Sequence, residues 1–209
     1  MSTALELCNV TCARGGHTLF SELTLTLQPG QLLYVQGANG SGKTSLLRMV
    51  CGLLQPVSGK VLWRGRPVAS LREEFGRDVA YLGHAAALKD DMSPVENLLA
   101  ACGLGGQSAS RLDAMGALAE AGLPGLENTP VRHLSQGQRR RSALARMAMA
   151  RSSPLWVLDE PFNALDTKAT HWLKGLITGH LLRSGLVVLT SHQDLGPGLD
   201  ATQMQVLAL

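Results

Sequence analysis

Residues Gly37-Ala38-Asn39-Gly40-Ser41-Gly42-Lys43-Thr44 fit the phosphate-binding pattern G-x-x-x-x-G-K-[ST] at every fixed position. This loop constrains the fold more than any other stretch, because it is strung between a strand and a helix wherever it binds phosphate. The flanks agree: Leu32–Gln36 reads as the strand and Thr44–Cys51 as the helix. Leu46, Leu47 and Val50 give that helix an apolar face, and Gly52 is placed to stop it. The glycines let backbone N–H groups curl around phosphate oxygens at the positive end of the helix dipole. Lys43 is then placed to reach the β- and γ-phosphates of a nucleotide, and the Thr44 hydroxyl to ligate Mg²⁺. A chance Gly-rich turn is the bland alternative, and the strand and helix on either side argue against it.

The remainder reads as an α/β protein. Leu23, Leu25 and Leu27 alternate with Thr24, Thr26 and Gln28, the pattern of a half-buried antiparallel strand. Runs at Leu32–Val35, Val79–Leu82, Leu155–Leu158 and Leu186–Leu189 are apolar on both parities, which suits central strands covered on both faces. From about Asp90 to Arg151 helices with Gly-rich breaks take over, with Leu98, Leu112, Leu118, Leu123, Leu144 and Met147 expected on packing surfaces. The expected organisation is a single domain over 1–209: an α/β core with an antiparallel β part from 1–87 and 151–209, interrupted by a helical subdomain over 88–150. At 209 residues, 45% of them hydrophobic, the chain can bury a full core.

Other classes fit less well. The net charge is +3, with Lys and Arg scattered rather than blocked as in a nucleic-acid footprint. No apolar stretch approaches the roughly 20 residues of a membrane span. Met1-Ser2-Thr3-Ala4-Leu5-Glu6 lacks the layout of a secretory signal. Work at a membrane therefore calls for another chain to span it. Cys8, Cys12, Cys51 and Cys102 have no zinc or redox spacing and read as small apolar fillers in a reducing compartment.

Two further segments carry chemistry. Leu155-Trp156-Val157-Leu158 ends in Asp159-Glu160, where a P-loop protein holds its Mg²⁺ shell and where a second carboxylate can polarise an attacking water. His192 follows the strand Leu186–Thr190 at the carboxyl edge of the sheet, where an imidazole can donate to a developing phosphoryl charge. Ser135 and Gln138 form a capping box, S-x-x-Q, opening a helix that runs to about Met149. Arg139, Arg140 and Arg141 read as its solvated face, with no catalytic role.

Leu134-Ser135-Gln136-Gly137-Gln138 also resembles the LSGGQ signature of ABC ATPases, with Gln136 in place of the first glycine. The resemblance covers essentially the whole chain and its motifs arrive in the family order. The P-loop is followed by the signature, the Walker B strand ending at Asp159, the catalytic carboxylate Glu160, a D-loop at Ala164-Leu165-Asp166 and the switch histidine His192. The resemblance implies a P-loop NTPase (RecA-like) core of ABC ATPase type and hydrolysis of ATP with Mg²⁺. It also implies a head-to-tail homodimer in which Ser135, Gln136, Gly137 and Gln138 meet the phosphates bound by the partner's P-loop. Two positions depart from the pattern. The metal-linked glutamine falls at His84, whose imidazole can relay through water although a hard ion prefers oxygen. The adenine-stacking aromatic falls near Arg14, whose guanidinium either stacks on the base or points to solvent.

Within that family, several details resemble the ATP-binding subunits of cytochrome c maturation, or haem exporter ATPases. They are Leu62-Trp63 before Gly65-Arg66-Pro67-Val68, Tyr81-Leu82-Gly83-His84, Pro130-Val131, Asp159-Glu160-Pro161-Phe162 and Ser191-His192-Gln193. This implies an integral-membrane permease partner, a peripheral position on the cytoplasmic face of the inner membrane, and coupling of ATP hydrolysis to haem export or delivery. The chain has no C-x-x-C-H motif, so no direct haem ligation is expected. The alternatives are an ABC ATPase for another cargo and a soluble ABC ATPase acting on nucleic acid. A single P-loop without sustained heptads argues against the second.

Overall fold

The computed structural model describes residues 4–192 and 204–209. β1 (Leu5–Arg14) and β2 (His17–Leu27) pair antiparallel, with Arg14 opposite His17 at the hairpin end. β4 (Ser58–Trp63) and β5 (Arg66–Pro67) extend this sheet in the order β2-β1-β4-β5. The alternation in β2 works as its pattern dictates. Leu27 is buried and Leu23 and Leu25 pack on the core, while Thr24 and Thr26 are exposed.

The second sheet is parallel, ordered β6-β7-β8-β3-β9. Its strands are β3 (Leu32–Gln36), β6 (Val79–Leu82), β7 (Leu155–Leu158), β8 (Leu186–Thr190) and β9 (Met204–Ala208). The runs that are apolar on both parities feed two different cores. Leu33, Val35, Leu155, Val157, Leu186 and Val188 meet α1 (Lys43–Val50) and the antiparallel sheet. Their neighbours Leu32, Tyr34, Trp156, Leu158, Val187 and Leu189 meet α5 (Gln136–Met149) and α6 (Thr167–Leu182). α2 (Val68–Asp78) leads into β6.

Between β6 and β7 lie α3 (Pro94–Leu104), α4 (Arg111–Glu120), a 3₁₀ turn at Val131–His133 and α5. Each of the three α-helices starts with a capping box: Ser93 with Glu96, Ser110 with Asp113, and Ser135 with Gln138. Val95, Leu98, Ala114, Leu118, Leu123 and Ala145 form their shared core. Leu112 departs from its expected packing role and is 79% exposed. It lies on the opposite side of α4 from Ala114, Ala117 and Leu118, which take the buried stripe.

α1 stops where Gly52 stands. Leu53 N–H bonds to Arg48 C=O at 2.8 Å and Gly52 N–H to Met49 C=O at 3.0 Å, a Schellman closure that requires the positive φ of 72° at Gly52. Among the described residues no helix is long and apolar enough to cross a membrane. The chain order of the parallel sheet brings the carboxyl ends of β3, β6, β7 and β8 to one edge, and each runs directly into a segment singled out above.

Candidate nucleotide-binding site

β3 leaves the sheet into the loop 37–42, and Gly42 caps α1 with φ 104°. A Cβ there would sit 3.1 Å from Leu19 and Phe20, so both backbone and space call for glycine. Ser41 N–H bonds back to Ala38 C=O at 3.2 Å, closing the turn. Lys43 Nζ donates to the Gly37 and Ala38 carbonyls at 2.7 and 3.0 Å, which holds the ammonium over the loop. Thr44 Oγ1 donates to Asp159 Oδ2 at 2.9 Å, joining the loop to the end of β7.

The β7 end is fixed from several directions. Asp159 N–H bonds to Leu82 C=O at 2.8 Å, and Thr190 Oγ1 donates to Asp159 Oδ1 at 2.8 Å. The same Thr190 oxygen accepts from Glu160 N–H at 2.9 Å. Glu160 is buried and has φ 49°, a left-handed backbone that a residue with a Cβ adopts only where its surroundings impose it. Its Oε2 accepts from His192 N–H at 3.1 Å. Its Oε1 lies 3.4 Å from His192 Nε2 and makes no hydrogen bond among the described residues.

The loop and the end of β7 face one cleft of about 670 Å³, which Gly37, Ala38 and Ser41 do not themselves line. Asn39, Gly40, Gly42, Lys43, Thr44, His84, Asp159, Glu160 and His192 contribute to its wall, and Arg14 reaches it from the end of β1. Ser135, Gln136, Gly137, Gln138 and Asp166 are not among its lining residues. Ser135 and Gln138 instead complete the capping box of α5, with Ser135 N–H bonded to Gln138 Oε1 at 2.8 Å. Asp166 caps α6, accepting from Ala169 N–H at 2.7 Å. Gln193 lies outside the described residues.

The run Arg139-Arg140-Arg141 corrects the expectation of a solvated face. Arg139 donates to the Leu134 and Arg132 carbonyls, and Arg141 to that of Gly122. Arg140 is only 7% exposed and reaches into the site, donating to four backbone carbonyls. The cause is helical spacing, since position 140 falls on the same stripe as Ala143, Leu144 and Met147, which pack on the sheet. Thr190, which fixes the carboxylate pair, and His17, Leu19, Ser45 and Asn163, which line the cleft, are the other site residues that no sequence motif marks. His17 is signalled by the hairpin itself, which sets it opposite Arg14.

A strand–loop–helix phosphate cradle, facing a carboxylate pair and a histidine on neighbouring parallel strands, defines a nucleotide-hydrolysing P-loop site. The ABC transporter family model matches residues 20–163, and the chain belongs to that family. A cytochrome c biogenesis ATP-binding export protein CcmA from Dechloromonas aromatica is 49% identical over 190 residues, covering 91% of this chain and 93% of that one. The protein of the same name from Albidiferax ferrireducens is 45% identical over 200 residues, covering 96% and 95%. A solved dimer of an ATP-binding cassette in a post-hydrolysis state, bound to ADP and Pi, shares the fold at a TM-score of 0.81 and 23% identity, over 98% of this chain and 94% of that one. The chain is an ABC ATPase of the CcmA type.

Proposed function

We propose that this ATPase is the nucleotide-hydrolysing subunit of a membrane complex that exports or delivers haem for cytochrome c biogenesis. Identity of 45–49% to CcmA proteins, over more than nine-tenths of the chain, is the observation that carries this cargo. The chemistry rests on the convergence of Lys43, Thr44, Asp159, Glu160 and His192 at one cleft.

In this reading the loop from Gly37 to Gly42 cradles the phosphates through its backbone N–H groups, other than that of Ser41, which closes the turn, and Lys43 binds the β- and γ-phosphates as a point charge. Thr44 Oγ1 and Asp159 Oδ2 are hard oxygen donors 2.9 Å apart, a pair suited to Mg²⁺. Thr44 and Asp159 would hold the ion, which would supply positive charge against the phosphates. Glu160 takes the proton of the attacking water. His192 donates to the γ-phosphate as negative charge develops there. The adenine stacks on the Arg14 guanidinium, with His17 beside it.

The signature lies outside the cleft of its own chain, which supports its use by a second copy. In a head-to-tail homodimer, Ser135, Gln136, Gly137 and Gln138 contact the partner's ATP, and Asp166 lies at the interface between the two sites. A permease subunit spans the membrane, the ATPase sits on its cytoplasmic face, and His84 relays nucleotide state between them. Glu160→Gln should cut hydrolysis by about 10²–10⁴ while retaining ATP, so the variant accumulates as an ATP-bound dimer. Size-exclusion chromatography that finds only monomer at saturating MgATP counts against the sandwich. Deleting the gene should abolish covalent haem in c-type cytochromes. Normal holocytochrome in the deletion strain sinks the haem cargo and leaves the ATPase assignment standing.

A further inference from the structure

The cleft accounts for the P-loop, the carboxylates and the histidine, but not for the buried cation behind them. Arg140 projects from α5 and its guanidinium joins three segments distant in sequence. Nη1 donates to the carbonyls of Gly83 and His84 at 3.4 and 3.2 Å. Nη2 donates to the carbonyls of Asp159 and Glu160 at 3.2 and 2.6 Å. Its Nε is buried without a partner among the described residues, where the group is held by its two outer nitrogens. Burial draws the guanidinium below its usual range, while the Asp159 and Glu160 carboxylates act in the opposite direction.

We propose that Arg140 is the positioning residue that holds Glu160 and His84 in register with the signature helix. The argument is one of geometry. Glu160 keeps an unfavourable φ of 49°, its N–H is fixed by Thr190, and the 2.6 Å bond from Arg140 to its carbonyl is the complementary restraint on the same peptide segment. The other arm of the fork grips the backbone of His84, which lines the same cleft. Only a planar fork can serve both pairs of carbonyls, since an ammonium presents its donors from one point. Arg140 also lies about 6 Å along the helix axis from Gln136, less than two turns from the signature end. A shift of α5 therefore moves the carbonyls of Asp159 and Glu160 with it. Engagement of the signature by a partner's nucleotide is then felt at the chain's own catalytic carboxylate.

This inference rests on Glu160 being the catalytic carboxylate, and a double-mutant cycle in the full-length ATPase separates the two. MgATP turnover is measured for Arg140→Lys, Glu160→Gln and the double variant, with KM, kcat and the melting curve of each. Arg140→Lys should lose at least about tenfold in kcat with KM within about threefold, because ATP binding does not use the fork. In the Glu160→Gln background the same change should cost little more, since both act through one group. Ethylguanidinium should partly restore kcat to Arg140→Ala, and ethylammonium should not. Wild-type kcat in Arg140→Lys overturns the proposal, as does a loss that multiplies fully with that of Glu160→Gln. A loss that tracks only the unfolded fraction seen in the melting curve overturns it too. If Glu160→Gln itself turns over normally, it is the assignment of the catalytic carboxylate that falls.

Discussion

Most of the side chains that bear chemistry stand at strand ends, and their order was legible because their spacing is chemical. Lys43 and Thr44 must follow the glycine loop, and Asp159 and Glu160 must end an apolar strand. Arg140 was not legible, because charge suggests solvent and only its place on the Ala143–Leu144–Met147 stripe hints otherwise. Thr190 gives no sequence signal, because a hydroxyl closing an apolar strand is common and its two bonds to Asp159 and Glu160 depend on which strands are neighbours. The nucleotide base tests a residue-scale departure. Arg14 and His17 line the cleft where an aromatic platform would be expected, and planar groups of this kind engage a base by its face. A face cannot tell adenine from guanine. Because base–aromatic stacking is worth about 1–3 kcal/mol and tolerates any base, competition binding should find ATP preferred over GTP by less than about a hundredfold. A larger preference would mean that another side chain reads the base edge.

Among the elements, those with one clear periodicity were readable, and those whose pattern is mixed were not. β3, β6, β7 and β8 announced themselves as buried runs, and β2 as an alternation. β9 is a short strand with no buried residue, at the edge of the sheet beside β3, and α2 buries only the narrow stripe Val68, Leu71 and Phe75 on an otherwise largely exposed helix. The N-terminus of α5 shows how one sequence can serve two ends. Ser135 accepts from Gln138 N–H at 3.3 Å as a helix cap, and the same N-terminus is proposed to bind the partner's γ-phosphate. Ser135→Asp separates these roles, since aspartate caps as well as serine but sets a carboxylate against a phosphate. The variant should melt within about 0.5 kcal/mol of wild type and lose most of its turnover. Unimpaired turnover in Ser135→Asp would leave the capping box as the whole role of that residue.

At the scale of the whole molecule, the layer beneath α6 holds a buried ionisable group that ties stability to pH. α/β architecture was legible from the phosphate loop and the buried runs, but one ionisable group inside that layer was not. His180 lies on the stripe of Leu173, Ile177 and Leu181, stacked on Trp156 with ring centroids 4.0 Å apart and planes 8° from parallel. It is 2% exposed, and a Cβ at Gly185 would collide with its ring. The imidazole pKa is pushed down to about 4, by burial above all with the Arg183 charge acting the same way, against backbone hydrogen bonding at Pro154 and Leu186 that raises it. In the unfolded chain the same group titrates at about 6.5. Between these values the unfolded state binds a proton that the native state does not, so stability is full above about pH 6.5 and falls as the pH drops toward 4. His180→Asn removes the titration together with the stacking, so it should be less stable at neutral pH yet lose less on acidification. Urea midpoints taken at about pH 7.5 and about pH 5.5 should therefore converge between the two proteins. Midpoints that fall in parallel would mean the buried imidazole is already protonated in the native state, or that other groups govern the acid response.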